Sequence, residues 1–206
     1  MQSALPDGVI VKPDSPVVPL DQTYLGEAGQ TMPPMVASTF TEHGPLRAAY
    51  VFAYARGGQS TQTIAFTSAE LGIASSAYYV YDYFTHKGTP LRVGDSFTDP
   101  VSGGSYYIVA PVGPSGIAFL GDTGKFVSLG RKRITQLTDD GRVKATVAFA
   151  AGEQAVTLQG YAEKPPRVEA SAGSAGPLFY DSSSHRFNFT VSPRTGRVAS
   201  ILLTTR

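Results

Sequence analysis

Short runs of β-branched and aromatic residues, each closed by a cluster of Gly, Pro, Asp or Ser, recur along almost the whole chain. This punctuation limits helices to fragments and favours strands joined by tight turns. It predicts strands near 46–55, 61–67, 78–83, 92–98 and 105–111. A second series is predicted near 116–120, 132–137, 142–149, 154–161, 167–171, 177–180, 186–191 and 197–204. The pair of glycines in Arg56-Gly57-Gly58-Gln59 reads as a hairpin turn between the first two strands, and Asp139-Asp140-Gly141 as another hairpin turn. Phe187, Phe189 and Val191 alternate with Arg186, Asn188 and Thr190, as one buried and one solvated sheet face require. Val143, Thr146, Val147 and Phe149 alternate less cleanly, which predicts a bulge or burial on both faces. At Glu70-Leu71-Gly72-Ile73, the glycine and the short span allow at most one helical turn.

The expected fold class is all-β: two antiparallel β-sandwich domains preceded by an extended Pro-rich segment. The Pro111-Val112-Gly113-Pro114 junction divides the β-rich material into sandwiches at 37–112 and 113–206. In segment 1–36, Pro6, Pro13, Pro16 and Pro19 remove amide donors and fix backbone angles, which bars an inner strand. Its Val9-Ile10-Val11 and Val17-Val18 runs are too apolar for a solvated linker. A strap lying along a domain surface, or an interdomain segment, fits both features.

Composition excludes several chemistries. With no cysteine in 206 residues, there is no disulfide scaffold, thiolate nucleophile, cysteine-ligated zinc or iron–sulfur site. A net charge of +1 supplies no long-range field for nucleic acid or an anionic membrane. No 18-residue apolar run marks a membrane helix, and Met1 to Gly8 lack the basic start and apolar core of a signal peptide. Any export signal is therefore expected outside this sequence.

Familiar motifs fail on spacing. Gly121-Asp122-Thr123-Gly124-Lys125-Phe126 lacks the glycine spacing and the hydroxyl residue of a phosphate loop, and reads as a structural turn. Gly113-Pro114-Ser115-Gly116 fails as a nucleophile elbow, and no lysine has a serine three residues before it. His43, His86 and His185 have no metal-ligand spacing and read as surface or turn residues. Lys125, Arg131, Lys132 and Arg133 form the notable basic cluster, expected to pair with acidic turns or to solvate a loop. No cofactor, metal site or catalytic residue is assigned.

The candidate contact residues lie in Tyr78-Tyr79-Val80-Tyr81-Asp82-Tyr83. On a strand, Tyr79, Tyr81 and Tyr83 share one face, where they either stack on sugars or build a sheet core that meets another domain. Asp82 would need a second carboxylate at a defined separation to act on a glycosidic bond, and Asp95, Asp99 and Asp122 are possible partners.

Three strings carry a family resemblance: Gly44-Pro45-Leu46-Arg47-Ala48-Ala49-Tyr50-Val51, Tyr79-Val80-Tyr81-Asp82-Tyr83, and the run Ala110-Pro111-Val112-Gly113-Pro114-Ser115-Gly116-Ile117-Ala118-Phe119-Leu120-Gly121. The middle string resembles the aromatic-Asp strand in C-terminal β-sandwiches of bacterial glycoside hydrolases related to the α-galactosidase barrel families. The resemblance spans roughly residues 45–112, and the later β-rich portion looks like an additional accessory domain. In that family catalysis belongs to a preceding (β/α)₈ barrel against which the sandwich packs. The resemblance therefore implies a non-catalytic accessory region of a multidomain carbohydrate-active enzyme, with an intramolecular catalytic domain as partner and an exported or periplasmic location. The residues leave two alternatives open: an independent glycan-binding module using Tyr79, Tyr81 and Tyr83, and a complete small glycoside hydrolase.

Overall fold

Where the backbone is extended, successive side chains point to opposite sides, and in this protein both sides of the central strands are apolar. A computed structural model describes residues 3–20, 32–57, 60–194 and 196–205. The described residues form no helix, and every strand pairing among them is antiparallel.

The N-terminal half holds strands β1 (Val18–Pro19), β2 (Met35–His43), β3 (Leu46–Tyr54), β4 (Gln62–Thr67), β5 (Ala77–Asp82), β6 (Gly88–Arg92), β7 (Ser96–Val101) and β8 (Gly104–Pro111). Six of them make one sheet in the order β1-β2-β3-β8-β5-β6, while β4 and β7 pair separately and cover one of its faces. The C-terminal half holds β9 (Ile117–Gly121), β10 (Ile134–Asp139), β11 (Val143–Ala148), β12 (Val156–Ala162), β13 (Arg167–Ala172), β14 (Ser174–Ala175), β15 (Phe179–Asp181), β16 (Arg186–Ser192) and β17 (Val198–Thr204). These build a sheet β14-β16-β12-β9, with β15 also on β16, and a second sheet β10-β11-β17-β13.

Period-two alternation sorts the buried side chains into three cores. Tyr78 and Val80 of β5, with Tyr107 and Val109 of β8, face Ile64 and Phe66 of β4. Tyr79 and Tyr81, with Ile108 and Ala110, point the other way and meet Ala118 and Leu120 of β9 and Tyr161 of β12. Ile117 and Phe119 then face Val143, Val147, Ile201 and Leu203 on the last sheet. Four layers thus stack in sequence, and the middle core joins the two sandwiches.

The Pro-rich segment lies over this joint. Leu5 and Val11 enter the middle core, and Val18–Pro19 adds an edge strand to β2, the position where a proline is tolerated in a sheet. Charged contacts fasten the strap from outside: Arg131 reaches Asp14, Lys125 Nζ donates to the Ala4 carbonyl at 2.5 Å, and Asp7 accepts from the Ala151 amide at 3.3 Å.

The structure departs from the sequence reading at four places. Strand β2 lay in a stretch where no strand was expected, because its buried face carries Thr39, Thr41 and His43 rather than an apolar stripe. The run 92–98 is two strands, broken where Gly94 takes a positive φ of 91° and the Asp95 amide donates to the Arg92 carbonyl. After β3 the chain does not fold back as a hairpin at Arg56-Gly57; β3 pairs with β2 and β8, and the chain crosses to β4 in the other sheet. Gly58 and Gln59 of that expected turn lie outside the described residues. Finally, β11 alternates regularly once Ala145 is counted as an inward residue, and the bulge sits on its partner β10, between Ile134 and Gln136. Glu70-Leu71-Gly72-Ile73 is a non-helical turn that drops Leu71 and Ile73 into the first core.

Candidate functional site

β5 presents Tyr79, Tyr81 and, just beyond the strand, Tyr83 on one face, as the alternation requires, and the structure buries all three at the joint between sandwiches. Tyr79 stacks on Tyr161 with ring centroids 4.4 Å apart and planes 17° from parallel. Its hydroxyl is buried without a hydrogen-bond partner, and desolvation pushes its pKa up to about 12 against the opposing pull of Arg186. Tyr83 meets Tyr106 and Phe84 edge-on. A sugar could stack on these rings only if the sandwiches parted. Phe52, Tyr54 and Phe84 are the exposed rings on this side, at 41%, 46% and 58% of full exposure. Phe52 rests on Tyr106 with centroids 4.6 Å apart, and Phe126 rests on both Tyr83 and Tyr106, so an exposed aromatic shelf grows directly out of the core.

Tyr81 belongs to a turn that the chain uses twice. Tyr81-Asp82-Tyr83-Phe84-Thr85-His86 and Tyr180-Asp181-Ser182-Ser183-Ser184-His185 share the pattern Tyr-Asp-x-x-x-His. In each, the Asp carboxylate accepts the backbone N–H two residues on, at 2.9 Å. In each, the His occupies the left-handed region, with φ of 57° and 54°, and its Nδ1 lies 2.8 Å from the Tyr hydroxyl. Arg186, next to the second turn, donates to the His86 carbonyl of the first at 2.5 Å, so the two turns clasp across the joint. The recurring Tyr-Asp-x-x-x-His spacing is the sequence signal that would have found this pair.

The acidic candidates are held in separate local structures. Asp82 caps its turn, Asp99 accepts from the Tyr107 hydroxyl at 2.6 Å, and Asp122 pairs with Arg133 at 2.9 Å. Burial raises the pKa of Asp122, although Arg133 and Lys125 pull it down. Arg133, from the basic cluster, is fully buried: it grips Glu153 with two bonds of 2.7 and 2.8 Å and donates to the Ala148 carbonyl at 2.7 Å. For Glu153, burial alone would raise the pKa, but the Arg133 hydrogen bond and the Ala150 amide reverse the sign and hold it low. His86 and His185 are exposed turn residues as expected, whereas His43 is buried with its ring 2.9 Å from the Leu129 carbonyl, and desolvation lowers its pKa. Among the described residues, no group of three or more His, Cys, Asp or Glu side chains could hold a metal ion. No helix there is long and apolar enough to cross a membrane.

Among the described acids of the first half, Asp95 alone lines a large groove, of about 650 Å³, at the seam between sandwiches. One wall is the β5–β6 end, with Ala77, Pro90, Arg92 and Asp95. Val112 and Gly116 of the connecting segment also line it. The far wall is Tyr161, Glu163 and Lys164 at the end of β12, with Thr205 after β17. The Asp95 carboxylate holds the Arg92 amide at 2.8 Å and Thr205 donates to the Ser115 carbonyl at 2.5 Å, which fixes the backbone of both rims.

No family model and no curated protein matches the chain. Among solved structures it is similar to part of a Bacillus halodurans C-125 protein assigned as an alpha-N-acetylgalactosaminidase, at 15% identity and a TM-score of 0.36. That likeness covers 46% of this chain and 20% of the other, so the chain corresponds to a fraction of that protein's length. A likeness this weak assigns neither fold nor activity.

Proposed function

We propose that this chain is a non-catalytic accessory region of a multidomain carbohydrate-active enzyme and supports the catalytic domain by packing against it. The observation that carries the reading is the aromatic shelf of Phe52 and Phe84, each exposed and each resting on a ring of the middle core, Tyr106 and Tyr83, with Tyr54 exposed two residues along β3 from Phe52. Large apolar rings left in solvent beside a packed core mark surfaces that bind another protein. The resemblance of the Tyr79–Tyr83 string to accessory sandwiches of glycoside hydrolases supplies the class of partner, a (β/α)₈ barrel on the same polypeptide.

Tethering tests it. Joined to the barrel encoded with it, the chain should raise the barrel's melting temperature by several degrees, and Phe52→Ser with Phe84→Ser should abolish the rise. A barrel that melts identically with and without the chain, or a coding sequence with no catalytic domain joined to it, refutes the packing role. Turnover of aryl glycosides by the chain alone refutes the non-catalytic part.

A further inference from the structure

We infer that the groove at the seam between the two sandwiches is a binding site for a small neutral polyhydroxylated ligand, one or two sugar rings in size. Its volume of about 650 Å³ falls within the roughly 300–1,000 Å³ of small-molecule sites, and interfaces between compact units are where such sites concentrate.

Its chemistry selects the ligand class. Arg92 and Lys164 supply donors, while Asp95 and Glu163 supply acceptors, so two cations offset two carboxylates and the lining carries no net charge. Among the described residues, the side chains of Arg92, Glu163 and Lys164 make no hydrogen bond or ion pair, and all three are exposed to the groove's solvent. A sugar hydroxyl both donates and accepts, which matches facing donor and acceptor groups, whereas a phosphate or carboxylate would use the cations and be repelled by Asp95 and Glu163. Between these groups lie Ala77, Pro90 and Val112, an apolar bed suited to the C–H face of a pyranose. That bed is backed by packed rings: the buried Tyr161 is stacked on Tyr79, and Pro90 is the registered neighbour of Tyr79 in the β5–β6 pair. The site is therefore preorganised behind its polar rim.

The site is distinct from the aromatic shelf, and its test leaves the packing proposal untouched. Amide chemical shifts of the full chain would be followed against a panel of neutral hexoses, N-acetylhexosamines, disaccharides, hexuronates and inorganic phosphate. At least one neutral sugar should give saturable shifts centred on Arg92, Gly116, Lys164 and Thr205. Arg92→Ala and Glu163→Ala, both on exposed side chains, should each weaken that binding about tenfold or more while distant shifts stay fixed. Phe52→Ser should leave it unchanged. Absence of saturable binding by every neutral sugar overturns the assignment, as does binding that survives both groove variants or a preference for phosphate over neutral sugars.

Discussion

Arg133→Met should be among the most damaging single substitutions in this protein. The guanidinium is 0% exposed and neutralises two carboxylates, Asp122 at 2.9 Å and Glu153 through a pair of bonds, while satisfying the Ala148 carbonyl. Met fills the volume of the stem but leaves two largely buried negative charges and a carbonyl without their partner. Breaking a buried ion pair from one side costs about 3–5 kcal/mol. In a chain of this size that corresponds to roughly 6–20 °C in melting temperature. Glu153→Gln keeps the Asp122 pair and should cost less, about 1–2 kcal/mol. Urea unfolding followed by circular dichroism and tyrosine fluorescence measures both.

The pH profile separates electrostatics from packing. In the native protein the folded pKa of Glu153 lies below its unfolded value, so its stabilisation is present above about 4.3 and drains away as pH falls through the folded value. Asp122 runs the other way, because its folded pKa is raised and acid favours its native state. Without Arg133, burial and mutual repulsion push both carboxyls upward, so the variant should regain stability relative to the native protein as pH falls from 7 toward 5. Adding Asp122→Asn and Glu153→Gln should recover much of the loss. A loss below about 1 kcal/mol, or one that the added pair does not relieve, would refute the claim that uncompensated charge dominates.

The remaining expectations concern the joint. Gly88→Ala should destabilise by about 1–3 kcal/mol in the same assay, because its Cβ would fall on the Tyr79 ring and hydroxyl, which the Tyr161 stack prevents from moving aside; an unchanged midpoint counts against it. Tyr79→Phe removes a buried hydroxyl with no partner and should be neutral or slightly stabilising, whereas Tyr106→Phe strands the Phe126 carbonyl and should cost about 1–3 kcal/mol; equal effects would show that partner satisfaction is not what distinguishes them. We propose that the units 37–112 and 113–206 unfold together through their common core. A chain ending at residue 112 would bare Tyr79, Tyr81 and Ile108 and should self-associate; a folded monomer with a sharp melt would refute this.

The strands legible in the sequence are those whose buried side is apolar. Phe187, Phe189 and Val191 are inward on β16 as their alternation required, and the shared face of Tyr79, Tyr81 and Tyr83 followed from the same rule. β2 was illegible because its inward Thr39 and His43 are satisfied by distant carbonyls, Ser15 and Leu129, which no local pattern announces. For the basic cluster, pairing with acidic turns or solvation of a loop was expected; Arg133 does pair with carboxylates from turns, but its full burial was illegible because Asp122 and Glu153 lie in separate parts of the sequence.

The groove shows the limit most clearly. Its residues come from β5–β6, the connecting segment, the end of β12 and the position after β17, and only packing of one sandwich on the other brings Arg92 and Asp95 opposite Glu163 and Lys164. By itself the sequence determined the all-β class, most turns and which tyrosines share a face, because these depend on backbone geometry over a few residues. Tertiary structure decided which face became the joint, which rings stayed in solvent and where unpaired charges of both signs meet. Those outcomes depend on contacts between distant segments, to which local periodicity is blind.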